Sequence, residues 1–393
     1  MKTNFLIRVS IVLMFISVNV YSNPLSNSLK HATRQQAVIN EFDRQLQKDL
    51  SDDQILSDDD LNGSISAAIV KGNQIIWSKA YGPSDKVKNI AADSNIIYRT
   101  GSISKSFTAF LMMQLVQDGT IGLNDPIEKF LPEIKQLDGY TDSTKITFKQ
   151  LASHTSGLTR EPRLKDSAKG PIEEWEDKIL LSIPHTPFKS KPGENYSYSN
   201  IGYGILGLTL SRAANKPFIE LVKDNIFTPL NMNNSYFIVP NAKTEFLAKG
   251  MGGGPLGELD EIEPHKEHLG RGYKVPNGGI YSTSNDLAKF MIHNMGYTET
   301  LTKENLALMQ SQKTPDNEST KYGLGYFLYE DNNITTVGHG GSVSGYTAMF
   351  KFEKESQYGV ILLRNYNWGS THLDLRSMTL LRKLMDVSTK SKQ

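Results

Sequence analysis

Residues 98–119 read YRTGSISKSFTAFLMMQLVQDG and contain a serine and a lysine three positions apart, Ser102 and Lys105. Apolar residues recur every four positions behind this pair, and Gly119 follows as a typical C-terminal cap, which predicts a helix with one buried face (Phe107, Leu111, Leu115). In its first turn the Ser102 hydroxyl would lie beside the Lys105 amine, close to backbone N–H groups without helical partners. This arrangement suits an activated nucleophile. The alternative is a serine N-cap followed by a solvated lysine, and the pair alone does not decide between them.

The composition of the chain narrows the functions that it could have. Its 393 residues exceed the usual size of a single core, so we expect one large two-lobed unit or two domains. With 43 basic and 42 acidic residues the formal net charge is +1, and we expect neither nucleic acid nor an anionic membrane as a partner. No cysteine occurs, which excludes a disulfide framework, a lipoprotein anchor and a thiol nucleophile.

The first 22 residues have the pattern of a secretory signal peptide. Lys2 and Arg8 precede an apolar run at 9–18, and Val20 and Ser22 are small enough for the minus-three and minus-one positions of a cleavage site. The run is too short to span a bilayer comfortably, although a membrane anchor is the alternative interpretation. We therefore predict a secreted or periplasmic protein with no membrane span after signal removal.

The two ends of the remaining chain predict one antiparallel sheet with helices. Runs of β-forming residues predict strands at 64–70, 74–81, 322–330, 334–341, 346–353 and 357–364. A short turn joins the first two, and this hairpin lacks partners of its own, so we expect it to pair with the C-terminal strands. Helices are predicted at 33–50, at 286–295 with Ser284 as the cap, and at 372–385; an acidic stretch at 52–60 is predicted to be a solvated connector.

The middle of the chain predicts a mostly helical lobe, because Pro and Gly breaks are frequent there and alternating runs are few. Thr147 is predicted to cap a short helix that ends near His154, which we interpret as a structural hydrogen-bonding residue rather than a base. Residues 191–210 read KPGENYSYSNIGYGILGLTL, a Pro-Gly turn and a polar stretch that lead into an apolar helix. The polar stretch contains Tyr198 and Asn200.

Two further polar segments contain residues that often bind cofactors. Residues 250–257 read GMGGGPLG but lack the Gly-Lys-Ser/Thr of a phosphate-binding loop, so we interpret them as a flexible loop at the rim of a site. His265, Glu267 and His268 are metal-binding residue types, but no second cluster completes a ligand shell. We therefore expect neither a metal nor another cofactor.

Three short motifs occur in chain order: Ser102-Ile-Ser-Lys105, Tyr198-Ser-Asn200 and His339-Gly340-Gly341. Together with the flanking GSISKSFTAFLMMQL, LASHTSGL and YSNIGYGILG, they make the chain resemble the serine β-lactamase and DD-peptidase superfamily, specifically its class C-like branch, from about residue 62 to 385. The resemblance implies an α+β fold, with an antiparallel sheet flanked by helices, an inserted helical lobe, and the active site between them. It also implies acyl transfer through a covalent serine ester without a metal.

The resemblance further implies a role for each motif residue. Ser102 matches the nucleophile, Lys105 its partner lysine and Tyr198 the general base, while Asn200 matches the residue that orients the amide side of the substrate. His339, Gly340 and Gly341 match a strand that lines the cleft, and the backbone N–H groups of Ser102 and Ser342 would form the oxyanion hole. The alternative for residues 338–341 is a tight turn into a strand. The implied domains are a signal peptide (1–22), a helix and linker (23–60) and a catalytic domain (61–393) with a sheet lobe (about 61–100 and 275–393) and a helical lobe (about 101–274).

The proton acceptor is left open by the residues themselves. For Tyr198 to act as a base near neutral pH, its pKa would have to fall from about 10 to about 7, which corresponds to roughly 4 kcal/mol. A lysine cation at about 4 Å supplies about that much at an effective dielectric constant of about 20. The alternative is that Lys105 is neutral and accepts the proton, and the two groups would titrate as a coupled pair.

The third motif departs from the lysine-containing pattern that is usual in β-lactamases. The ordinary pKa of a histidine is about 6.5, so His339 would capture a substrate carboxylate weakly and in a pH-dependent way, while Gly340 leaves room for a bulkier group. This departure favours an exported serine hydrolase of D-amino-acid peptides, as a cell-wall DD-peptidase is, or of short acyl esters. Peptidoglycan fragments and β-lactams are the candidate ligands. The alternatives are a class C-like β-lactamase and a penicillin-binding module that acylates without turnover.

Overall fold

In the computed structural model of the protein, the described residues are 24–55, 63–85, 88–253, 259–260, 262–331, 334–367, 369 and 371–389. The predicted signal peptide at 1–22 lies outside them, as do residues 56–60 of the predicted acidic connector and residues 254–257 of the glycine-rich segment. None of the described helices combines the length and the apolar character that crossing a bilayer requires.

The fold is α+β, as predicted, and its main sheet has six antiparallel strands among the described residues. The strands in chain order are β1 Ile65–Lys71, β2 Gln74–Tyr81, β3 Pro83–Asp85, β4 Ile90–Ala91, β5 Tyr98–Arg99, β6 Gly252–Gly253, β7 Leu259–Asp260, β8 Tyr281–Ser282, β9 Phe327–Asp331, β10 Ile334–Val343, β11 Tyr346–Glu353 and β12 Tyr358–Arg364. The order in the main sheet is β2-β1-β12-β11-β10-β9. Since β1 pairs with β12, the prediction that the first hairpin joins the C-terminal strands is confirmed.

Helices cover both faces of this sheet. They are α1 Pro24–Ile55, α2 Ser104–Gln117, α3 Phe148–Ala152, α4 Trp175–Ser182, α5 Asn200–Ala214, α6 Phe218–Val222, α7 Ile262–Lys266, α8 Val275–Gly278, α9 Ser284–Asn294, α10 Lys303–Met309 and α11 Leu373–Thr389. Alternate residues of β1 point to opposite faces, so Ile65 and Ile69 pack with α1 and α11, while Ala68 and Val70 join the larger core that contains α2, α5 and α9. That larger core continues from the sheet into the helices of segment 101–274, and the division into lobes at residues 101 and 275 stays a prediction.

The N-terminal helix differs from the prediction in length and in its acidic end. It was predicted at 33–50 but extends from Pro24 to Ile55, and Asp53 in its last turn is buried rather than solvated. The Asp53 carboxylate accepts hydrogen bonds from Arg364 Nη1 (3.3 Å), from the Tyr366 hydroxyl (3.0 Å) and from the Thr371 backbone N–H (3.2 Å). The end of α1 is therefore anchored to the end of β12 by a buried ion pair.

Loss of this buried charge should destabilise the fold. Removing one partner of a buried ion pair leaves the other charge uncompensated, so Asp53→Asn is expected to lower the free energy of unfolding by about 3 kcal/mol. Asp52→Asn is the matched control, since Asp52 is 43% exposed and pairs with Lys48 on the helix surface, and its effect should stay within about 0.5 kcal/mol. Urea unfolding of both variants measures the difference; equal stabilities would contradict the anchoring role of Asp53.

Other boundaries differ by a few residues. The cap of α9 is Thr283, not Ser284, because the Thr283 hydroxyl accepts the Asp286 N–H at 3.1 Å. The strand predicted at 322–330 begins only at Phe327. The caps at Thr147 and Gly119 are confirmed, the first by a reciprocal capping box and the second by a left-handed φ of +75° at Gly119, which follows Asp118 at the end of α2.

Candidate active site

The segment that carries Ser102 forms a tight turn before α2. Residues Gly101–Ile103 make one 3-10 turn and α2 begins at Ser104, so Ser102 stands just ahead of the α-helix rather than in its first turn. Lys105, one residue into α2, is fully buried. Its Nζ lies 3.1 Å from Ser102 Oγ and donates a hydrogen bond to the backbone oxygen of Asn277 at 3.1 Å. The lysine amine is thereby fixed against the serine hydroxyl.

Tyr198 reaches the same point from the start of α5. Ser199 is the N-cap of that helix: its hydroxyl accepts the Gly202 N–H at 2.9 Å and donates to the backbone oxygen of Thr159 at 2.7 Å. The Tyr198 hydroxyl is hydrogen-bonded to Ser102, and Lys105 Nζ lies 4.8 Å from the centre of the Tyr198 ring. Side chains from positions 102, 105 and 198 therefore meet at one point.

Burial sets the protonation of this group. Desolvation, followed by the charges of Arg160 and Arg271, holds the pKa of Lys105 well below its ordinary value. Burial raises the pKa of Tyr198 to about 12, although its hydrogen bond with Ser102 and the charge of Arg160 act in the opposite direction. Both shifts act against an ion pair at this point: the lowered pKa of Lys105 favours the neutral amine over the cation, and the raised pKa of Tyr198 favours the phenol over the phenolate.

Two glycines allow the serine turn to approach β10 closely. A Cβ on Gly101, whose φ is +54°, would lie 2.8 Å from Ser342 N, and a Cβ on Gly341 would lie 2.0 Å from the backbone oxygen of Thr100. No side chain fits at either contact, so the backbones of residues 101–102 and 341–342 lie side by side. The pairing of β9 with β10 ends at Gly338. From His339 onward, the edge of β10 that faces away from β11 is therefore not paired by β9, and this part of the edge lies next to Ser102.

His339 is buried in this strand, and both of its ring nitrogens have partners. Nδ1 lies 2.6 Å from the backbone oxygen of Gly340, which can only accept, so Nδ1 carries the proton. In the neutral ring Nε2 then accepts from the Tyr322 hydroxyl at 3.0 Å. Burial, with a contribution from the charge of Lys105, lowers the pKa of His339 to about 3. The residue is neutral throughout the range in which the sequence led us to expect titration.

Asn200 lies beside the three converging side chains, at the start of α5. Its Nδ2 donates to Glu161 Oε1 at 2.7 Å, while its buried Oδ1 has no hydrogen-bond partner among the described residues. Lys274 approaches the other oxygen of Glu161 at 3.6 Å. An unpartnered buried acceptor is unfavourable, and an N–H group of a ligand would satisfy it.

His154 supports the tyrosine segment through the backbone. Its Nδ1 accepts the N–H of Ser199 at 3.0 Å, and its ring centre lies 4.2 Å from that of Tyr198. Burial holds its pKa well below the ordinary histidine value, with smaller contributions from the charges of Lys105 and other groups. These contacts agree with the structural role that we predicted for it.

Sequence reasoning missed several residues that contact the site. They are Asn277, which binds the Lys105 amine, Tyr322, which binds His339, and Arg160, whose guanidinium lies 4.9 Å from the centre of the Tyr198 ring. Arg160 lies two positions after the LASHTSGL motif, and this proximity was the one signal in the sequence that could have identified it. The contacts of Asn277 and Tyr322 arise from chain segments more than 15 positions away and leave no local pattern.

Neither of the two segments that contain cofactor-binding residue types, 250–257 and 265–268, forms a metal site among its described residues. Glu267 forms ion pairs with Arg99 and Arg271, and His268 Nδ1 lies 2.8 Å from the Tyr281 hydroxyl. Among the residues that the structure describes, no group of three or more His, Asp or Glu side chains is arranged to hold a metal ion. In the glycine-rich segment, residues 250–252 are buried and Gly252–Gly253 form β6, so this part is not a flexible loop, while residues 254–257 lie outside the described residues.

A cleft of about 600 Å³ opens over these residues. Its described lining includes the three motif regions and the ends of β11, β12 and α11: Ser102, Arg160, Tyr196, Tyr198, Phe327, Tyr329, His339, Gly340, Gly341, Ser342, Thr347, Ala348, Met349, Arg364, Thr371, His372 and Leu373. Of the predicted site residues, Lys105 and Asn200 are buried and are not part of this described lining.

An antiparallel sheet flanked by helices, with the Ser-x-x-Lys turn in a cleft beside it, defines the serine β-lactamase and DD-peptidase class of fold. A profile of the Beta-lactamase family matches residues 56–379, and the chain therefore belongs to that family.

Relatives of known sequence support this assignment. The chain is 30% identical to "Beta-lactamase-like protein 2" of Dictyostelium discoideum over 369 residues, which are 91% of this chain and 65% of that protein. It is 26% identical to "Protein flp" of Staphylococcus aureus (strain MW2) over 324 residues, 80% of this chain and 62% of that protein. The chain thus spans less than two thirds of the length of these curated relatives.

Solved structures agree on the fold. The octameric penicillin-binding protein homologue from Pyrococcus abyssi superimposes with a TM-score of 0.72 at 27% identity, covering 87% of this chain and 77% of that one. The β-lactamase/D-alanine carboxypeptidase from Pseudomonas syringae gives a TM-score of 0.70 at 20% identity, covering 88% and 99%. At that lower identity the likeness shows the fold alone.

Proposed function

We propose that the protein is a serine hydrolase that forms a covalent acyl-enzyme at Ser102 and acts on D-amino-acid peptides or short acyl esters. The observation that carries this proposal is the 3.1 Å approach of the buried Lys105 amine to Ser102 Oγ. A neutral amine at hydrogen-bond distance is able to accept the serine proton. The three motifs that resemble the serine β-lactamase and DD-peptidase superfamily, with His339 in place of the usual lysine, are the reason for including D-amino-acid peptides.

In the proposed reaction, Ser102 Oγ attacks the substrate carbonyl carbon and forms the C–O bond while its proton passes to Lys105 Nζ. The negative carbonyl oxygen accepts hydrogen bonds from the backbone N–H groups of Ser102 and Ser342. Collapse breaks the bond to the leaving group, which takes the proton from Lys105 through the Tyr198 hydroxyl. Water then repeats these steps on the ester and releases the acid and free Ser102.

The proposed substrate contacts follow from the geometry around Ser102. The β10 edge beyond Gly338 offers backbone groups to an extended peptide, as sheet edges do in strand addition. The unpartnered Oδ1 of Asn200 would accept an amide N–H of the acyl part. Since His339 is neutral and its nitrogens are occupied, we no longer propose pH-dependent capture of a carboxylate by its ring; it supports the strand beside Gly340 and Gly341.

Export remains part of the proposal. It rests on the signal-like pattern of residues 1–22, and determination of the N-terminal residue of the protein recovered from the producing cells tests it.

A phosphonate probe tests the nucleophile. Intact-mass measurement is expected to show one adduct on the wild-type protein, located to Ser102 by peptide mapping, and none on Ser102→Ala. Ser106→Ala is the matched control, because Ser106 is buried nearby but donates its hydroxyl to the backbone oxygen of Gly325, and it should label like wild type. An adduct that persists in Ser102→Ala would contradict the proposal.

Turnover separates the proposed enzyme from the alternatives. Steady hydrolysis of p-nitrophenyl acetate beyond one equivalent is expected for an enzyme, whereas a burst that stops at one equivalent would indicate a penicillin-binding module. Nitrocefin hydrolysis far above the spontaneous rate would favour the β-lactamase alternative.

A further inference from the structure

The described lining of the cleft above Ser102 contains cationic but no acidic side chains. No Asp or Glu occurs among the described residues that line it, whereas two arginines do, Arg160 and Arg364. The charge of Arg364 is compensated, because its buried guanidinium binds Asp53 and its Nε donates to Thr347 Oγ1 at 2.8 Å. His339 is neutral. Arg160 is therefore the arginine of this described lining whose charge is directed to the cleft.

The structure holds Arg160 firmly beside the proposed catalytic group. Its backbone oxygen accepts the N–H groups of Asn200 (2.9 Å) and Ile201 (3.3 Å), the first residues of α5. Its guanidinium lies over the Tyr198 ring, 4.9 Å from the ring centre, a cation–π geometry that leaves the N–H groups of the guanidinium edge available. The same segment thus fixes both Tyr198 and Arg160.

The neighbouring carboxylate of Glu161 forms only a long ion pair with Arg160, without a hydrogen bond. Glu161 Oε1 accepts the short hydrogen bond from Asn200, and Oε2 faces Lys274. Arg160 Nε is 3.8 Å from Glu161, beyond hydrogen-bond distance, and the Arg160 side chain is 61% exposed. Its donors are therefore free to bind a ligand from the cleft.

We propose that Arg160 binds a carboxylate of the substrate, so that the protein prefers substrates with a negative charge near the scissile carbonyl over neutral ones of the same shape. This inference rests on the proposed function of the site. A guanidinium pairs with a carboxylate through two parallel N–H···O bonds, which fixes orientation as well as charge. Arg160 would thus supply, from the helical side of the cleft, the cation that the third motif lacks.

Matched substrate pairs test the preference and locate the carboxylate. The first pair, p-nitrophenyl hemisuccinate and p-nitrophenyl butyrate, places it in the acyl part; the second, an acyl-D-Ala-D-Ala peptide and its C-terminal amide, places it in the leaving part. In at least one pair, Arg160→Gln is expected to lower the ratio of kcat/KM for the acid to kcat/KM for its neutral partner by about 10- to 100-fold. High salt should weaken the wild-type preference, since the pair is exposed.

The decisive quantity is the ratio of kcat/KM for the acidic substrate to kcat/KM for the neutral substrate. Arg160 also lowers the pKa of Lys105, so its loss changes proton transfer for every substrate, and that effect cancels in the ratio. Arg163→Gln is the matched control, because Arg163 is 73% exposed and does not line the cleft, and it should leave the ratio unchanged. Equal losses for acid and neutral substrates in Arg160→Gln, or no acid preference in either wild-type pair, would overturn the proposal.

A binding measurement separates this inference from the proposed function. In the Ser102→Ala background, calorimetry with N-acetyl-D-alanine and with monomethyl succinate reports carboxylate binding without any turnover. At least one ligand is expected to bind about 10-fold or more weakly after the additional change Arg160→Gln. If no substrate is hydrolysed by wild type, the proposed function fails, and this measurement alone then decides the role of Arg160: affinities independent of Arg160 would overturn it.

Discussion

Lys105→Met is expected to lower kcat/KM for p-nitrophenyl acetate by about 10³-fold, within the range known for loss of a general base. Methionine fills a similar buried volume but cannot accept the proton of Ser102 Oγ, which the lysine amine approaches at 3.1 Å. Tyr198→Phe should have a smaller effect, about 10²-fold, because the phenol, with a pKa raised to about 12, donates and relays a proton rather than accepting it first. Equal or reversed effects would indicate that Tyr198 is the acceptor.

Lys105→Met should also change how the free energy of unfolding depends on pH. A general folding defect would not produce this change. In the folded protein, burial holds the pKa of Lys105 well below 10.5, its ordinary value in the unfolded chain. At a pH between the folded and the unfolded pKa, the unfolded chain binds a proton that the folded chain does not. The free energy of unfolding of the wild-type protein therefore rises with pH in this range. Methionine removes this dependence. Relative to wild type, Lys105→Met should therefore gain free energy of unfolding as pH falls from about 10 toward the lowered pKa of folded Lys105. Urea unfolding across this range measures it; a constant difference would mean that Lys105 stays charged when folded.

Strongly patterned segments were predictable from the sequence. The strand at 346–353 was predicted at the residues where β11 occurs, because the run YTAMFKFE is rich in β-forming residues and short turns flank it. The first hairpin was predicted to join the C-terminal strands because it had no other partner, and its pairing through β1 with β12 in particular came from the structure. Helix ends were less certain, since adjacent Thr283 and Ser284 are equally good caps and only the backbone geometry decides between them.

Contacts between distant positions were not predictable. Asp53 reads as part of a solvated acidic run, yet it pairs with Arg364, 311 positions away. The convergence of residues 102, 105 and 198 was inferred from a family resemblance, but their protonation was not, because it depends on how completely the fold removes water from the Lys105 amine. Arg160 was missed for a related reason: an isolated exposed arginine has no periodic signal, and its importance comes from the cleft around it.

The backbone contact between the serine turn and β10 should tolerate no added side chain at Gly341. A Cβ there would lie 2.0 Å from the backbone oxygen of Thr100, so the turn and the strand would have to separate. Since the proposed oxyanion donors are the N–H groups of Ser102 and Ser342 on these two segments, Gly341→Ala is expected to lower kcat for p-nitrophenyl acetate by about 10²- to 10³-fold, as loss of one such donor does.

Gly340→Ala is the matched comparison, because its Cβ would meet only the flexible end of Met349 at 3.3 Å and the Ala348 oxygen at 3.8 Å. With the small acetyl substrate its rate should remain within about threefold of wild type, the usual range for a contact that a side chain can relieve. A thionoester substrate identifies the cause, because sulfur is larger than oxygen and a poorer acceptor for N–H groups placed to receive an oxyanion. Wild type and Gly340→Ala should therefore prefer the oxygen ester strongly over the thionoester, and Gly341→Ala should lose much of that preference. If Gly341→Ala slowed both substrates equally, the oxyanion would have to be bound elsewhere than between Ser102 and Ser342.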